Sequence, residues 1–521
     1  MTYLAVPIAA QNLDRARQQI KSAQASGAEM LELRTDYLEN LSVDLVKKLI
    51  AETRSATSRG LPIIVTCRDE KQGGARAYPQ QLRIDVLTSA LKAGAEFIDF
   101  EYENFLSAEN QERIKAALSQ SSKGRLILSA HNFETKFDDI GKLYRNISTV
   151  CPAAIAKLVY TANHINDCFE AFDLLANSSG DSIVFCMGDA GLISRIIAKK
   201  LNSFVTFASM DEKSATAPGQ LTIEQLKGLY RYDSINADTE LFGVIADPVG
   251  HSLSPAIHNA CFADKGMNKL YLPLLVEGGQ AEFDSFLSNI LARSWLDFAG
   301  FSVTIPYKQN ALNYVRANQG FVEPLAEKIG AVNTLLINAD GKLSAYNTDY
   351  SAALDAITST LDITRADLNG LPVAFIGAGG VARAIVAGLS NAGAKVKIYN
   401  RTVKKAERLA AEFSCDFAGL DDLPNVEAKL LINCTSIGMY PNVDAAPFPQ
   451  ECLKKNMVVF DTVYNPAETL LLEQAKQASA KTIDGLSMFI NQALAQFKLF
   501  TNTTANTKLM KKIVSDCLSR K

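Results

Sequence analysis

A lysine in the middle of an apolar run is the first residue of this chain that invites chemistry. Lys157 stands inside AAIAKLVY, a segment otherwise suited to a buried strand. An amine held among apolar neighbours and near other cations loses preference for its charged form. Its pKa then falls from about 10.4 towards roughly 7–8, and the free amine attacks carbonyls. The competing reading is an ammonium that snorkels to water or pairs with a carboxylate. Two features favour the reactive reading. His131 closes the preceding apolar segment, and Arg34, Arg68 and Arg195 fall at equivalent positions, just after or at the end of others. Guanidinium forks bind carboxylates in two-pronged fashion, so these arginines point to an anionic substrate. Glu32, Asp99 and Glu101 occupy similar positions, and the loop SATAPGQ adds Thr216 and Gln220.

A second set of residues lies downstream. IGAGGVARA follows an apolar strand and opens a helix. Gly377, Gly379 and Gly380 permit a tight turn and let a pyrophosphate approach the amides at the helix start. The next strand ends in Asn400, Arg401 and Thr402, where sites for NAD carry an acidic residue. A cation with neutral hydrogen-bonding groups suits a 2′-phosphate, so NADP is expected over NAD. In HSLSP, Ser252 and Ser254 are short hydroxyl donors for a carboxylate or a ring hydroxyl. Lys308 of FSVTIPYK and Asp349 of YNTDY form an acid/base pair able to move a proton as hydride leaves a carbon. Each motif alone also reads as turn or surface chemistry. Their order beside a dinucleotide turn favours a site.

Elements must hold these groups in place. The first half alternates strand and helix, with strands expected at Tyr3–Ile8, Met30–Arg34, Pro62–Cys67, Phe97–Glu101, Leu126–Ala130, Ala154–Val159, Ser182–Met187 and Phe204–Ala208. Amphipathic stretches such as Leu13–Ser26, Leu82–Ala93 and Gly191–Leu201 lie between them. Eight strand–helix pairs imply a (β/α)8 TIM barrel, whose active site lies at the carboxyl ends of the strands. The expected domains are residues 1–230, a polar linker 231–240 and a second half 241–521. The second half divides into a substrate subdomain, about 241–350, and a Rossmann-type subdomain, about 365–485. The stretch from Leu486 to Lys521 reads as helix packing back on the substrate subdomain.

Composition excludes some classes. The 521 residues carry a formal net charge of −3, with 48% hydrophobic and 21% charged residues, which gives no support for a nucleic-acid or membrane-surface partner. The nine cysteines show no CxxC spacing and the four histidines no zinc pattern, so no metal site is expected. The first residues lack the basic start and long apolar stretch of a signal peptide, and no apolar run approaches a membrane span; the expectation is cytoplasm.

ELRTDY, TCRDEKQGG, IDFEYE, SAHNF, AKLVYTA, MGDAGLISR and TAPGQ, in this order, resemble the motifs of type I 3-dehydroquinate dehydratase over roughly residues 1–230. The resemblance implies a (β/α)8 barrel in which Lys157 forms an imine with the substrate ketone. It implies His131 as the base that removes the C2 proton and later protonates the departing hydroxyl. Glu32, Arg34, Arg68, Arg195, Thr216 and Gln220 would hold the substrate. Two positions depart from the family pattern: Gln72 stands where Glu is common, and Thr216 where Ser is common. Gln72 removes a negative charge that could tune His131.

HSLSP, FSVTIPYK, GAVNT, YNTDY, INCTSIGM, DTVYNP and GLSMFINQA resemble shikimate dehydrogenase over about residues 241–500. That resemblance implies Lys308 and Asp349 as the catalytic pair. Ser252, Ser254, Thr304, Asn333, Asp349 and Gln492 would contact shikimate, with Tyr464 nearby. Gly377, Ala378, Gly379, Gly380, Val381, Ala382, Asn400, Arg401, Thr402, Thr435, Met439 and Val463 would line NADP(H). Tyr350, where many members carry Gly, is expected to tighten the site around the ring. The two activities are consecutive: 3-dehydroquinate yields 3-dehydroshikimate, which NADPH reduces to shikimate on the route to the aromatic amino acids. Quinate oxidation with NAD and a non-catalytic metabolite sensor stand as alternatives.

Overall fold

The computed structural model describes residues 1–57 and 60–519. Arg520 and Lys521, the end of the expected helical tail, lie outside the described residues. The chain divides into two compact units, residues 1–240 with 268–297 and residues 241–267 with 298–521.

In the first unit eight strands form one parallel sheet: β1 (Tyr3–Ile8), β2 (Met30–Arg34), β3 (Ile63–Thr66), β4 (Phe97–Glu101), β5 (Arg125–Asn132), β6 (Ile155–Thr161), β7 (Ser182–Met187) and β8 (Val205–Phe207). Their order is β7-β6-β5-β4-β3-β2-β1-β8, and the Phe204 amide donates to the Ser182 carbonyl at 2.7 Å across the remaining gap. Both faces of such a sheet are covered, which is why strands such as β3 (IIVT) are buried throughout. Ala5, Met30, Ile64, Ile127, Ile155 and Ile183 fill the interior, the packed centre of a nearly closed barrel.

Two expected elements differ. The helix after β7 covers only Leu192–Ile196, because the Thr206 hydroxyl takes the Arg195 carbonyl and ties that turn to β8. After β8 the chain forms a π-helical turn at Gln225–Leu229. In the stretch expected as a linker, Tyr232 is buried and its hydroxyl donates to the Thr2 carbonyl. The segment 268–297, which carries β10 (Lys269–Leu275), groups with this unit. Its Arg293 clasps Asp173 through two bonds of 2.7 Å.

The second unit holds two sheets. One runs β9 (Glu240–Ala246), β11 (Phe298–Val303), β13 (Thr334–Ile337), β14 (Leu343–Tyr346) and β12 (Phe321–Val322), with antiparallel β11-β13 and β13-β14 pairs. The other is parallel throughout: β17 (Asp416–Ala418), β16 (Lys395–Tyr399), β15 (Pro372–Ile376), β18 (Leu430–Asn433), β19 (Val458–Asp461) and β20 (Lys481–Ile483). Buried clusters line both of its faces, the doubly wound arrangement. The helix Gly485–Thr501 returns to the first of these sheets, where Gln496 accepts from Ser302 and donates to the Asn333 carbonyl. Among the described residues no helix is long and apolar enough to cross a membrane, and no cluster of His, Cys, Asp and Glu is arranged to hold a metal ion.

Candidate functional sites

The carboxyl ends of the barrel strands enclose a pocket lined by Glu32, Arg34, Arg68, Gln72, His131, Lys157, Arg195, Thr216 and Gln220, together with Phe185 and Phe207. The residues that the family resemblance implies for the first half therefore meet in one place, while Asp99 and Glu101 are not part of its lining. Lys157 projects from β6 with its Nζ 2.8 Å from Asp99 Oδ2 and 3.7 Å from Glu32 Oε1, above the Phe207 ring. The amine is not surrounded by apolar groups and cations alone, as its sequence neighbours suggest. Asp99 reaches it from β4, two strands away. Although burial alone would raise the Asp99 carboxyl, Arg68 and Lys157 hold it well below the usual carboxylate range.

His131 lines the same pocket. Burial, with Arg68 and Lys157 close by, pushes it well below its ordinary value of 6.5. Its ring stacks on Phe133 at 5.9 Å.

The three arginines are not equivalent. Both prongs of Arg34 are taken by Asp36, at 2.9 and 2.8 Å. Arg68 is committed to Glu101, Ser129 and Asp99 at 2.9, 2.6 and 2.8 Å. Arg195 is 1% exposed and sits over the Phe185 ring, 4.5 Å from its centroid, with Nε and one terminal nitrogen unpaired. Burial pulls it down to about 10. A buried cation with two unpaired nitrogens at the wall of a pocket calls for an anion.

In the second unit a cavity of about 440 Å³ is lined by Ser252, Ser254, Thr304, Lys308, Asn333, Asp349, Val381, Tyr464 and Gln492. That volume suits a small molecule. Lys308 opens one helix and Asp349 lies in the first turn of another, where the helix dipole favours a carboxylate. Lys308 Nζ donates to Asp349 Oδ2 at 2.5 Å, and Asn333 Nδ2 donates to Asp349 Oδ1 at 3.0 Å. Tyr464 stacks on Phe489 at 5.1 Å. Tyr350 is turned away from this cavity. Its hydroxyl donates to Glu323 at 2.5 Å because its ring packs against Gly388 of the neighbouring helix, so the expected tightening is not seen.

Of the residues expected at the cofactor, Val381 alone also lines the cavity. Gly377, with φ +109°, turns the chain at the end of β15; side chains built on Gly379 or Gly380 would meet only open space. The helix Gly380–Asn391 starts there, so its first amides are accessible. Arg401 and Thr402 are exposed beyond β16, and Asn400 folds its amide onto the Thr402 carbonyl. Thr435, Met439 and Val463 follow β18 and β19.

The family model for type I 3-dehydroquinase matches residues 4–237. Models for the shikimate dehydrogenase substrate binding domain, for shikimate/quinate 5-dehydrogenase and for the shikimate 5′-dehydrogenase C-terminal domain match 244–335, 360–488 and 485–514. A bifunctional 3-dehydroquinate dehydratase/shikimate dehydrogenase of Arabidopsis thaliana, described as chloroplastic, is 35% identical over 98% of this chain and 84% of its own. The chain belongs to this bifunctional family. The second half alone is 40% identical to the NADP(+) shikimate dehydrogenase of Methanocaldococcus jannaschii, over 55% of this chain and 100% of that one. A crystal structure of shikimate dehydrogenase in complex with NADP+ covers 55% of this chain and 97% of its own, with 39% identity and a TM-score of 0.49.

Some members of both pockets were not singled out from the sequence. Phe185 and Phe207 line the barrel pocket from β7 and β8, where they read only as apolar strand residues. Gln496 lies one helical turn beyond Gln492 and lines the same cavity, as the i, i+4 spacing allows. Phe489 and Thr462 carried no such sign.

Proposed function

We propose that the two sites catalyse consecutive reactions: dehydration of 3-dehydroquinate in the barrel, then reduction of 3-dehydroshikimate to shikimate in the second unit. The observation that carries this reading is the barrel mouth, where one amine, one imidazole and one unpaired buried guanidinium converge. The Lys157 nitrogen adds to the substrate ketone and water leaves, forming an imine. His131 removes the C2 proton, and the electron pair moves onto the imine to give an enamine. The enamine expels the neighbouring hydroxyl, which departs as water with the proton returned by His131. Hydrolysis then frees Lys157, for a net loss of one water. Arg195 takes the substrate carboxylate, while Glu32, Arg34, Arg68, Thr216 and Gln220 complete the walls.

The second unit fits NADP(H) through the open glycine turn Gly377–Gly380, the amides at the start of the following helix and the exposed Arg401 beside Asn400 and Thr402. When bound, NADPH supplies the hydride. Lys308, fixed by Asp349, gives the proton to the ketone oxygen as it becomes a hydroxyl, and Asn333 holds Asp349 in place. Ser252, Ser254, Thr304, Tyr464 and Gln492 orient the ring. Residues 1–230, 231–240 and 241–521 are the proposed divisions of the two activities.

Adding 3-dehydroquinate and NADPH together to the purified chain tests the reading. Loss of nicotinamide absorbance, requiring both additions, is expected. Persistent absorbance with both ligands bound would instead identify a non-catalytic sensor.

A further inference from the structure

Asp461 is a fully buried carboxylate that has no part in the proton transfers described above. It ends β19 directly beside Asn433, its register partner at the end of β18. Asn433 Nδ2 donates to Asp461 Oδ1 at 3.0 Å, and Asn433 Oδ1 accepts from the amide and hydroxyl of Thr435 at 2.9 and 2.7 Å. Asp461 Oδ1 also accepts from the Val463 amide at 3.0 Å, and Oδ2 from the Thr469 hydroxyl at 2.6 Å. One carboxylate thus ties together the loops that follow two neighbouring strands.

Two glycines show how closely those loops are fitted to the site. A Cβ on Gly377 would lie 3.0 Å from both Thr435 Cγ2 and the Cys434 carbonyl oxygen. One on Gly485 would lie 2.4 Å from the Val463 oxygen and 2.6 Å from that of Thr462. The dinucleotide turn rests on the first loop and the helix carrying Gln492 starts against the second. Separating the tips of β18 and β19 would shift both.

In a doubly wound sheet the pyrophosphate sits at the first βα turn and the adenosine half lies over the next strand. The order β16-β15-β18-β19 puts Asn400–Thr402 on one side of the glycine turn and Thr435 with Val463 on the other. We propose that Asp461 is a positioning residue for reduction, which through Asn433 and the Val463 amide sets the wall against the nicotinamide half of the cofactor. This rests on the reading of residues 365–485 as the NADP(H) subdomain.

The test is calorimetric titration of the full chain with NADPH and with 2′,5′-ADP, which carries the adenosine half and its phosphate alone. In Asp461→Ala the buried donors lose their acceptor, so NADPH should bind about tenfold more weakly and 2′,5′-ADP within about twofold of the parent. Asp461→Asn keeps an acceptor oxygen, and the Thr469 hydroxyl can reverse its bond, so NADPH affinity should return to within about threefold. If the alanine variant does not fold, Thr469→Val leaves one carboxylate oxygen unpaired and should weaken NADPH selectively, by about threefold. Equal weakening of both ligands, or unchanged NADPH affinity, overturns the proposal. Failure of the unmutated chain to bind 2′,5′-ADP overturns the cofactor reading beneath it, and is distinguished by needing no mutation.

Discussion

Gln72 Oε1 stands 3.2 Å from His131 Nδ1. In the tautomer whose Nδ1 carries the ring hydrogen, that hydrogen bonds to the amide oxygen and Nε2 keeps its lone pair for the substrate. With the imidazole pushed well below 6.5, chiefly by burial and by Arg68, the base stays neutral above that lowered value and is lost only as pH falls through it. Dehydration should therefore hold its kcat/KM down to pH 6.5 and fail only in more acid solution. Gln72→Glu sets a negative charge against the ring and should move that acid limb upward by about one pH unit. A pH–rate profile with 3-dehydroquinate measures this, and an unmoved limb would remove Gln72 from control of the base.

Arg195 carries the opposite costs for binding and for folding. Two of its nitrogens have no partner, so the ligand-free protein holds a buried cation without a carboxylate. Arg195→Met should raise KM for 3-dehydroquinate about a hundredfold, through the loss of a charge-assisted fork. The same variant should unfold less readily, by ~1–3 kcal/mol, because a buried charge gives way to packing. Denaturant titration without substrate and steady-state kinetics report the two effects. A variant less stable than the parent would show that Phe185 and the barrel already compensate the charge.

In the second unit the Lys308–Asp349 contact predicts a division between binding and turnover. Lys308→Ala removes the proton donor and should lower kcat for reduction about a thousandfold. KM for dehydroshikimate should change far less, since Ser252, Ser254 and Gln492 remain around the ring. Dehydration by the same preparation should be unaffected. A proportionate loss in KM alone would make Lys308 a binding group.

Periodicity served well for the barrel because parallel strands buried on both faces are written as continuous apolar runs, as in β3 and β7. It served less well after β7, where the Thr206 hydroxyl, outside the segment, ends the helix at Ile196. Motif order named residues that line each pocket. Their partners were another matter. Lys157 meets Asp99 across the barrel, and neither residue's local sequence announces a neighbour two strands away. The three arginines likewise look equivalent on paper; contacts with Asp36, Asp99 and Glu101 pair Arg34 and Arg68 with carboxylates, and Arg195 has none among the described residues. Tyr350 misled because its direction is decided by Gly388 and Glu323, residues remote in sequence.

Arg401 is exposed beyond β16, where its charge can meet a 2′-phosphate without desolvation cost. Arg401→Asp reverses that charge and should weaken NADPH at least tenfold while leaving NADH within about twofold. Reduction assays with each nucleotide measure the ratio. An unchanged preference would assign phosphate recognition to another cation, and Lys404 and Lys405 lie at the start of the next helix.

Lys157 offers the most direct chemical test, because an imine can be trapped. Borohydride added with 3-dehydroquinate reduces the carbon–nitrogen double bond and leaves substrate-derived mass on one lysine. Peptide mass spectrometry should locate it at Lys157. Lys157→Ala should abolish the adduct while reduction of dehydroshikimate continues in the other unit. The variant should still fold, because Asp99 keeps its bonds to Arg68 and Ser129 when the amine is gone, so no buried carboxylate is stranded. An adduct that still forms in Lys157→Ala would move the covalent chemistry to another amine, and the Lys157–Asp99 contact would then be an ion pair of the barrel interior.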